Sequence, residues 1–165
     1  MKNWLFRLLL LGGLAVAGIW LWRAWFPNPE KAIRRRLAEL AQAASFGPNE
    51  GALAKAINCD KLADFFTGDA QVKVDVGGYA QTFNGRESLR SAALSARTTL
   101  TSLKVDFPDI NITLGQDKQS AQVELTALGK VAGERDPQVY VFKFMLKRIG
   151  GDWLIRRAET VKTLM

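Results

Sequence analysis

The stretch LADFFTGDAQVKVDVGGYAQTFNGRESL, residues 62–89, changes its hydrophobic period twice. Leu62, Phe65 and Phe66 continue a helical spacing that begins at Leu53 and Ile57 and runs as far as Gly68. From Gln71 the period becomes two, with Val72, Val74 and Val76 alternating with Gln71, Lys73 and Asp75, the pattern of a strand with one wet face. Gly77-Gly78 can supply the positive φ angles of a tight hairpin, which returns the chain through Tyr79 to Phe83. Asn84-Gly85 closes this short strand, and the spacing of Leu89, Ala93, Ala96 and Leu100 predicts a helix over about Arg86 to Thr101. Helices and strands in one short chain predict an α+β domain.

On the N-terminal side, Asn28-Pro29-Glu30 reads as a helix start: Asn caps, Pro suits the first helical position and Glu favours the positive end of the dipole. Ile33, Leu37, Leu40, Ala41 and Ala44 follow at helical spacing until Gly47-Pro48. On the C-terminal side long strands complete the chain. Leu103, Val105 and Phe107 are in phase, then Ile110, Ile112 and Leu114 take the opposite phase, so Pro108-Asp109 predicts a bulge that bends the sheet. Ala121 to Ala127, VYVFKFMLK and WLIRRAETV follow, separated by loops at Gly115 to Lys118, Gly133 to Pro137 and Gly150-Gly151.

The net charge of +7 is not spread evenly. Residues 1–36 hold seven basic side chains against Glu30, whereas the other 129 hold 16 basic and 15 acidic ones, so the domain body is nearly neutral and nucleic acid is not an expected partner. There is no histidine, which excludes Ser-His-Asp and Cys-His machinery, histidine-ligated zinc and a histidine base. The single cysteine, Cys59, lies among alanines and aliphatics and reads as a buried small hydrophobe.

Trp4 to Phe26 forms a 23-residue run interrupted only by Arg7 and Arg23, enough helix to cross a hydrocarbon core of about 30 Å. Both arginines can snorkel, and four of the five tryptophans stand here as interfacial anchors. A retained span is favoured over a signal peptide cut after Ala15-Val16-Ala17, which would leave the aromatic start GIWLWRAWF exposed. The short tail before the run places the domain outside the cytoplasm, against the opposing bias of Arg23, Lys31 and Arg34 to Arg36. The expected organisation is a transmembrane anchor over 1–27 and a domain over 28–165.

LADFFTGDAQVKV (62–74), FNGRESL (83–89) and GDWLIRRAE (151–159), in this order and spacing, resemble the nuclear transport factor 2-like (SnoaL-like) superfamily over roughly residues 29–165. The resemblance implies a cone: a curved antiparallel sheet packed on three to four helices. Phe65, Phe66, Phe83, Phe107, Tyr140, Phe142, Phe144 and Trp153 would line it, as core filling or as a pocket for a small apolar ligand. Asp75 is similar in placement to the proton-shuttling aspartate of the ketosteroid isomerase branch, which also needs a buried donor for the enolate oxygen. The chain departs from that branch: its first helix has no tyrosine, and alternation puts Asp75 on the polar face, where a solvated residue is the bland reading.

Asp60, Asp64 and Asp69 read as caps and solvated positions, and their spacing fits no cation loop, so neither metal nor cofactor is expected. The expected function is a membrane-anchored, non-catalytic ligand-binding or scaffolding module, similar in layout to the bitopic scaffold subunits of type IV secretion systems. The alternative is an anchored enzyme of the isomerase or dehydratase type. Expected partners are a lipid bilayer through residues 4–26 and either an apolar ligand or a protein, a homodimer through the sheet being one form of the latter. Exposure of Val139, Val141 and Met145 would favour the scaffold, and a deep pocket with a buried carboxylate the enzyme.

Overall fold

The hydrophobic periods become three helices and six strands in the computed structural model, which describes residues 28–76 and 79–161. Helix α1 (Pro29–Ala44) begins as its sequence predicts: the Asn28 side-chain oxygen accepts the Glu30 N–H at 3.0 Å, with Pro29 in the first turn. Its apolar stripe, Ile33, Leu37, Leu40 and Ala41, is buried, and Arg34 and Arg35 point to solvent. Helices α2 (Ala52–Ala63) and α3 (Gly85–Thr99) pack on each other.

Strands β1 (Phe66–Val76), β2 (Tyr79–Asn84), β3 (Leu103–Leu114), β4 (Ser120–Val131), β5 (Gln138–Ile149) and β6 (Asp152–Thr160) form one sheet in the order β2-β1-β6-β5-β4-β3. The sheet is mixed, which corrects the antiparallel expectation. Three successive hairpin connections carry the chain back across the sheet from β3, and the odd number of reversals brings β6 to β1 in the same direction. The phase change at Pro108-Asp109 is a register shift between Asp106 and Asp109, and further shifts fall in β1 and between Met145 and Leu146. Such irregularities add local twist and bend the sheet around α1. Gly150 and Gly151, at φ 61° and 95°, make the two-residue β5–β6 turn that both positive angles require.

Two local readings give way to tertiary pairing. Phe65 and Phe66 are not helical: the Phe65 carbonyl accepts the Ile155 N–H at 2.8 Å and Phe66 is already a strand residue opposite Ile155. Leu53 and Ile57 do not face the core but stand 75% and 45% exposed on α2, whose buried side is the smaller Cys59 and Ala63. Val76 pairs with Tyr79, which leaves positions 77 and 78, outside the described residues, as the connection. The Trp4 to Phe26 run also lies outside the described residues, among which no helix is long and apolar enough to cross a membrane.

Candidate functional site

The concave face of the sheet is built by alternation. Ala121, Val123, Leu125 and Ala127 of β4, Phe144 and Leu146 of β5, and Trp153, Ile155 and Ala158 of β6 are buried with Ile33, Leu37 and Leu40 of α1 in one cluster. The helix thus lays hydrocarbon directly on the hydrocarbon of the sheet, and each large aliphatic side chain taken out of water contributes about 1.5–3 kcal/mol.

The aromatic residues expected to line a cone divide by depth. Phe65, Phe66, Phe144 and Trp153 are buried; Phe83, Phe107 and Phe142 are partly buried against the same core. Tyr140 stands half-buried at the end of a same-face row with Phe142 and Phe144, ring centroids 6.5 and 5.8 Å apart, and its hydroxyl donates to Gln138 Oε1 at 3.1 Å. Phe65 lies on the helix side, beneath the Arg36 guanidinium at 4.1 Å.

Asp75 is half-buried on the opposite face of β1 from Ala70 and Val72, which belong to the core. Its main-chain N–H donates to Thr160 Oγ1 at 2.8 Å. Asp60, Asp64 and Asp69 do not converge: they meet Arg90, Arg86 and Arg156 respectively, all at exposed positions. The neighbouring Thr67 hydroxyl, its own main-chain N–H and the charges of Arg156 and Lys147 hold the Asp69 carboxyl below its ordinary range. Among the described residues no group of three or more acidic or cysteine side chains could hold a metal.

The most constrained polar group is one the sequence reading passed over. Arg97 is 3% exposed, and its Nη1 donates to both Glu50 oxygens at 2.8 Å while Nη2 donates to the Ala43 carbonyl at 2.5 Å. The ring of Phe46 lies 4.8 Å from the guanidinium, and Asn58 Nδ2 donates to Glu50 Oε1 at 2.6 Å. Burial would raise the Glu50 pKa, but the hydrogen bonds from Asn58 and Arg97 and the charge of Arg97 outweigh it and hold the carboxyl below its ordinary value. One signal was available: Leu89, Ala93 and Arg97 share a helical stripe, and an arginine on an apolar stripe needs a partner.

A cleft of about 400 Å³ between α1 and β3 is lined by Ala38, Ala41, Val105, Phe107 and Ile110, and larger ones lie on the outer surfaces. One of about 690 Å³ sits on the convex face, lined by Asp69, Gln71, Met145, Lys147 and Arg156. Another of about 580 Å³ runs between α1 and α2 past Arg36, Asn58 and Asp64. Polar and apolar atoms share the wall of the convex-face cleft about equally, and polar groups prevail in the one between α1 and α2.

Order of elements, sheet topology and the helix across the concave face define the nuclear transport factor 2-like, or cystatin-like, fold. Among solved structures, a nuclear transport factor 2-like protein with a cystatin-like fold from Novosphingobium aromaticivorans superposes with a TM-score of 0.61 at 16% identity, covering 91% of this chain and 88% of that one. A nuclear transport factor 2-like protein of unknown function from Pseudomonas putida gives 0.62 at 12%, covering 82% and 87%. A protein from N. aromaticivorans provisionally assigned as a scytalone dehydratase gives 0.58 at 16%, covering 82% and 84%. At these identities the likeness is one of fold alone. No family model and no curated protein matches the chain in sequence.

Proposed function

We propose that this protein is a non-catalytic binding or scaffolding module, held at a membrane by residues 4–26 with its domain outside the cytoplasm. The observation that carries this reading is the hydrocarbon face of the cone, where Ile33, Leu37 and Leu40 of α1 share one buried cluster with Val123, Leu125 and Phe144. Acid–base chemistry in a cone needs a carboxylate or donor aimed into it. Here Asp75 belongs to the outer face of β1, and the buried Arg97 is engaged by Glu50 and Ala43 behind the helices. The outer face also offers apolar contacts, with Val139 58% and Met145 47% exposed and Val141 half-buried, which suits a partner protein better than a substrate.

Ala127→Leu tests the reading. In a filled cone the added carbons overpack the site and cost about 1–3 kcal/mol, measured by thermal or urea unfolding. A rise in melting temperature, together with uptake of an apolar dye by the native protein that the variant loses, would reveal room for a ligand. The alternative, an anchored isomerase or dehydratase-type enzyme, would then take precedence.

A further inference from the structure

Helix α1 fixes the end of the domain at which its own N-terminus lies. Its C-terminal end meets the start of β3: Phe46 bridges Leu103, and the Val105 N–H donates to Ser45 Oγ at 2.9 Å. Earlier turns lie farther along the strand, with Ala38 and Ala41 beside Phe107 and Ile110, and Arg34 beside Pro108 to Asn111. Six more residues back, about 9 Å of helix, bring Asn28 toward the end of β3 at Leu114, about 13 Å of strand beyond Ile110. Only Pro27 and Asn28 separate Phe26 from α1, a reach of about 7–10 Å. The N-terminal end of α1 therefore lies at the end of the sheet where β3 turns into β4, and the hydrophobic run precedes it directly in sequence.

That end has its own chemistry. The β3–β4 and β5–β6 hairpins lie side by side, joined by the Arg148 N–H to the Gln119 carbonyl at 2.7 Å. They carry Lys118, Lys147 and Arg148, and the first two turns of α1 add Lys31, Arg34 and Arg35. The acidic residues on the same segments are Glu30, Asp117 and Asp152, with Asp69 in the cleft beside Lys147 and paired with Arg156; the exposed Asp117 accepts from the N–H groups of Gln119 and Ser120 and the Ser120 hydroxyl. Ile149, 47% exposed, stands at the edge of the β5–β6 turn. The opposite end, the loop over 132–137, instead carries Glu134, Arg135 and Asp136.

Resting on the anchored reading above, we propose that this end is a second, peripheral membrane contact. Lys31, Arg34, Lys118, Lys147 and Arg148 bind the phosphates of anionic headgroups, and Ile149 enters the interface between them. Basic side chains act on an anionic leaflet within about one Debye length, 8–10 Å, and only two residues of sequence lie between Phe26 and α1. The domain is then held in one orientation, with its 132–137 loop and the Val139 end of β5 turned away from the lipid and free for a partner.

The test uses the full-length chain in vesicles of phosphatidylcholine with or without about 30% phosphatidylglycerol, carrying a headgroup-linked quencher. Single Ile149→Cys and Arg135→Cys variants are labelled with a fluorophore; native Cys59 is buried, with its thiol pKa raised by that burial, so the introduced cysteine reacts selectively. Quenching at position 149 should exceed that at 135 by about threefold in anionic vesicles, and the contrast should collapse in high salt or when Lys118, Lys147 and Arg148 are all changed to Gln. Unfolding curves matching the native protein exclude misfolding of that triple variant. Equal quenching at the two positions, or a contrast indifferent to lipid charge, overturns the docked end. Release of the native chain from vesicles by carbonate overturns the anchor itself, a separate outcome read before any label is used.

Discussion

The two sides of α1 are held by different physics. Toward the sheet, Ile33, Leu37 and Leu40 belong to one buried hydrocarbon cluster, and the interaction is non-directional and spread over many atoms. At its C-terminal end, the loop to α2 is tied to α3 by one guanidinium whose bonds to Glu50 and the Ala43 carbonyl are short and directional. The contrast teaches that the sheet side tolerates a change of shape at constant volume, whereas the Arg97 side tolerates no change of chemistry unless both partners change together.

The largest effect should come from the sheet side. Phe144→Ala leaves a void in a core that other strands cannot close, and a loss of about 3–5 kcal/mol is expected in urea unfolding. Phe144→Leu should retain most of the stability, and an equal loss from both would show that this face is as chemically exacting as the other. Next comes Arg97→Ala, at about 3 kcal/mol, because Glu50, with a side chain only 12% exposed, loses its countercharge and Ala43 its donor. The double change Arg97→Met with Glu50→Leu should recover much of that loss; no recovery would mean that the pair specifies the loop rather than balancing its own burial.

Glu50→Gln is expected to cost about 1–2 kcal/mol at neutral pH, since the amide oxygen can still accept from Asn58 and Arg97 but the amide nitrogen cannot accept and the charge is lost. Its pH dependence sharpens the comparison. The folded carboxyl lies below its ordinary value of 4.5, so its contribution is complete above that value and is lost as pH falls through the lower folded one. The difference in stability between native protein and Glu50→Gln should therefore be flat at neutral pH and shrink in acid. The smallest effect should be that of Asp75→Asn, about 0.5 kcal/mol or less in a thermal melt, as for a residue on the outer face of a strand. A clear rise in melting temperature would instead identify an electrostatic burden kept for function.

Much of the fold was legible in the chain. Asn28-Pro29-Glu30, the valine alternation at Val72 and Val74, the Pro108 phase change and the burial of Cys59 each appear in the structure as read, because capping, pleat and proline geometry act within a few residues. The candidate site was legible only by face: alternation put Asp75 on the outside of β1 and the aromatic row of β5 on the inside.

What the sequence determined by itself was therefore local: the elements, the faces, the concentration of charge in the first 36 residues and the lack of histidine chemistry. Tertiary structure decided the rest. It made Phe66 a strand residue by offering Ile155 as a partner, left Leu53 and Ile57 in solvent, and turned β6 parallel to β1. It also joined Glu50 to Arg97 across 47 residues. Each of these depends on a group distant in the chain, and periodicity carries no information about which distant group will arrive, only about which side of an element will be ready for it.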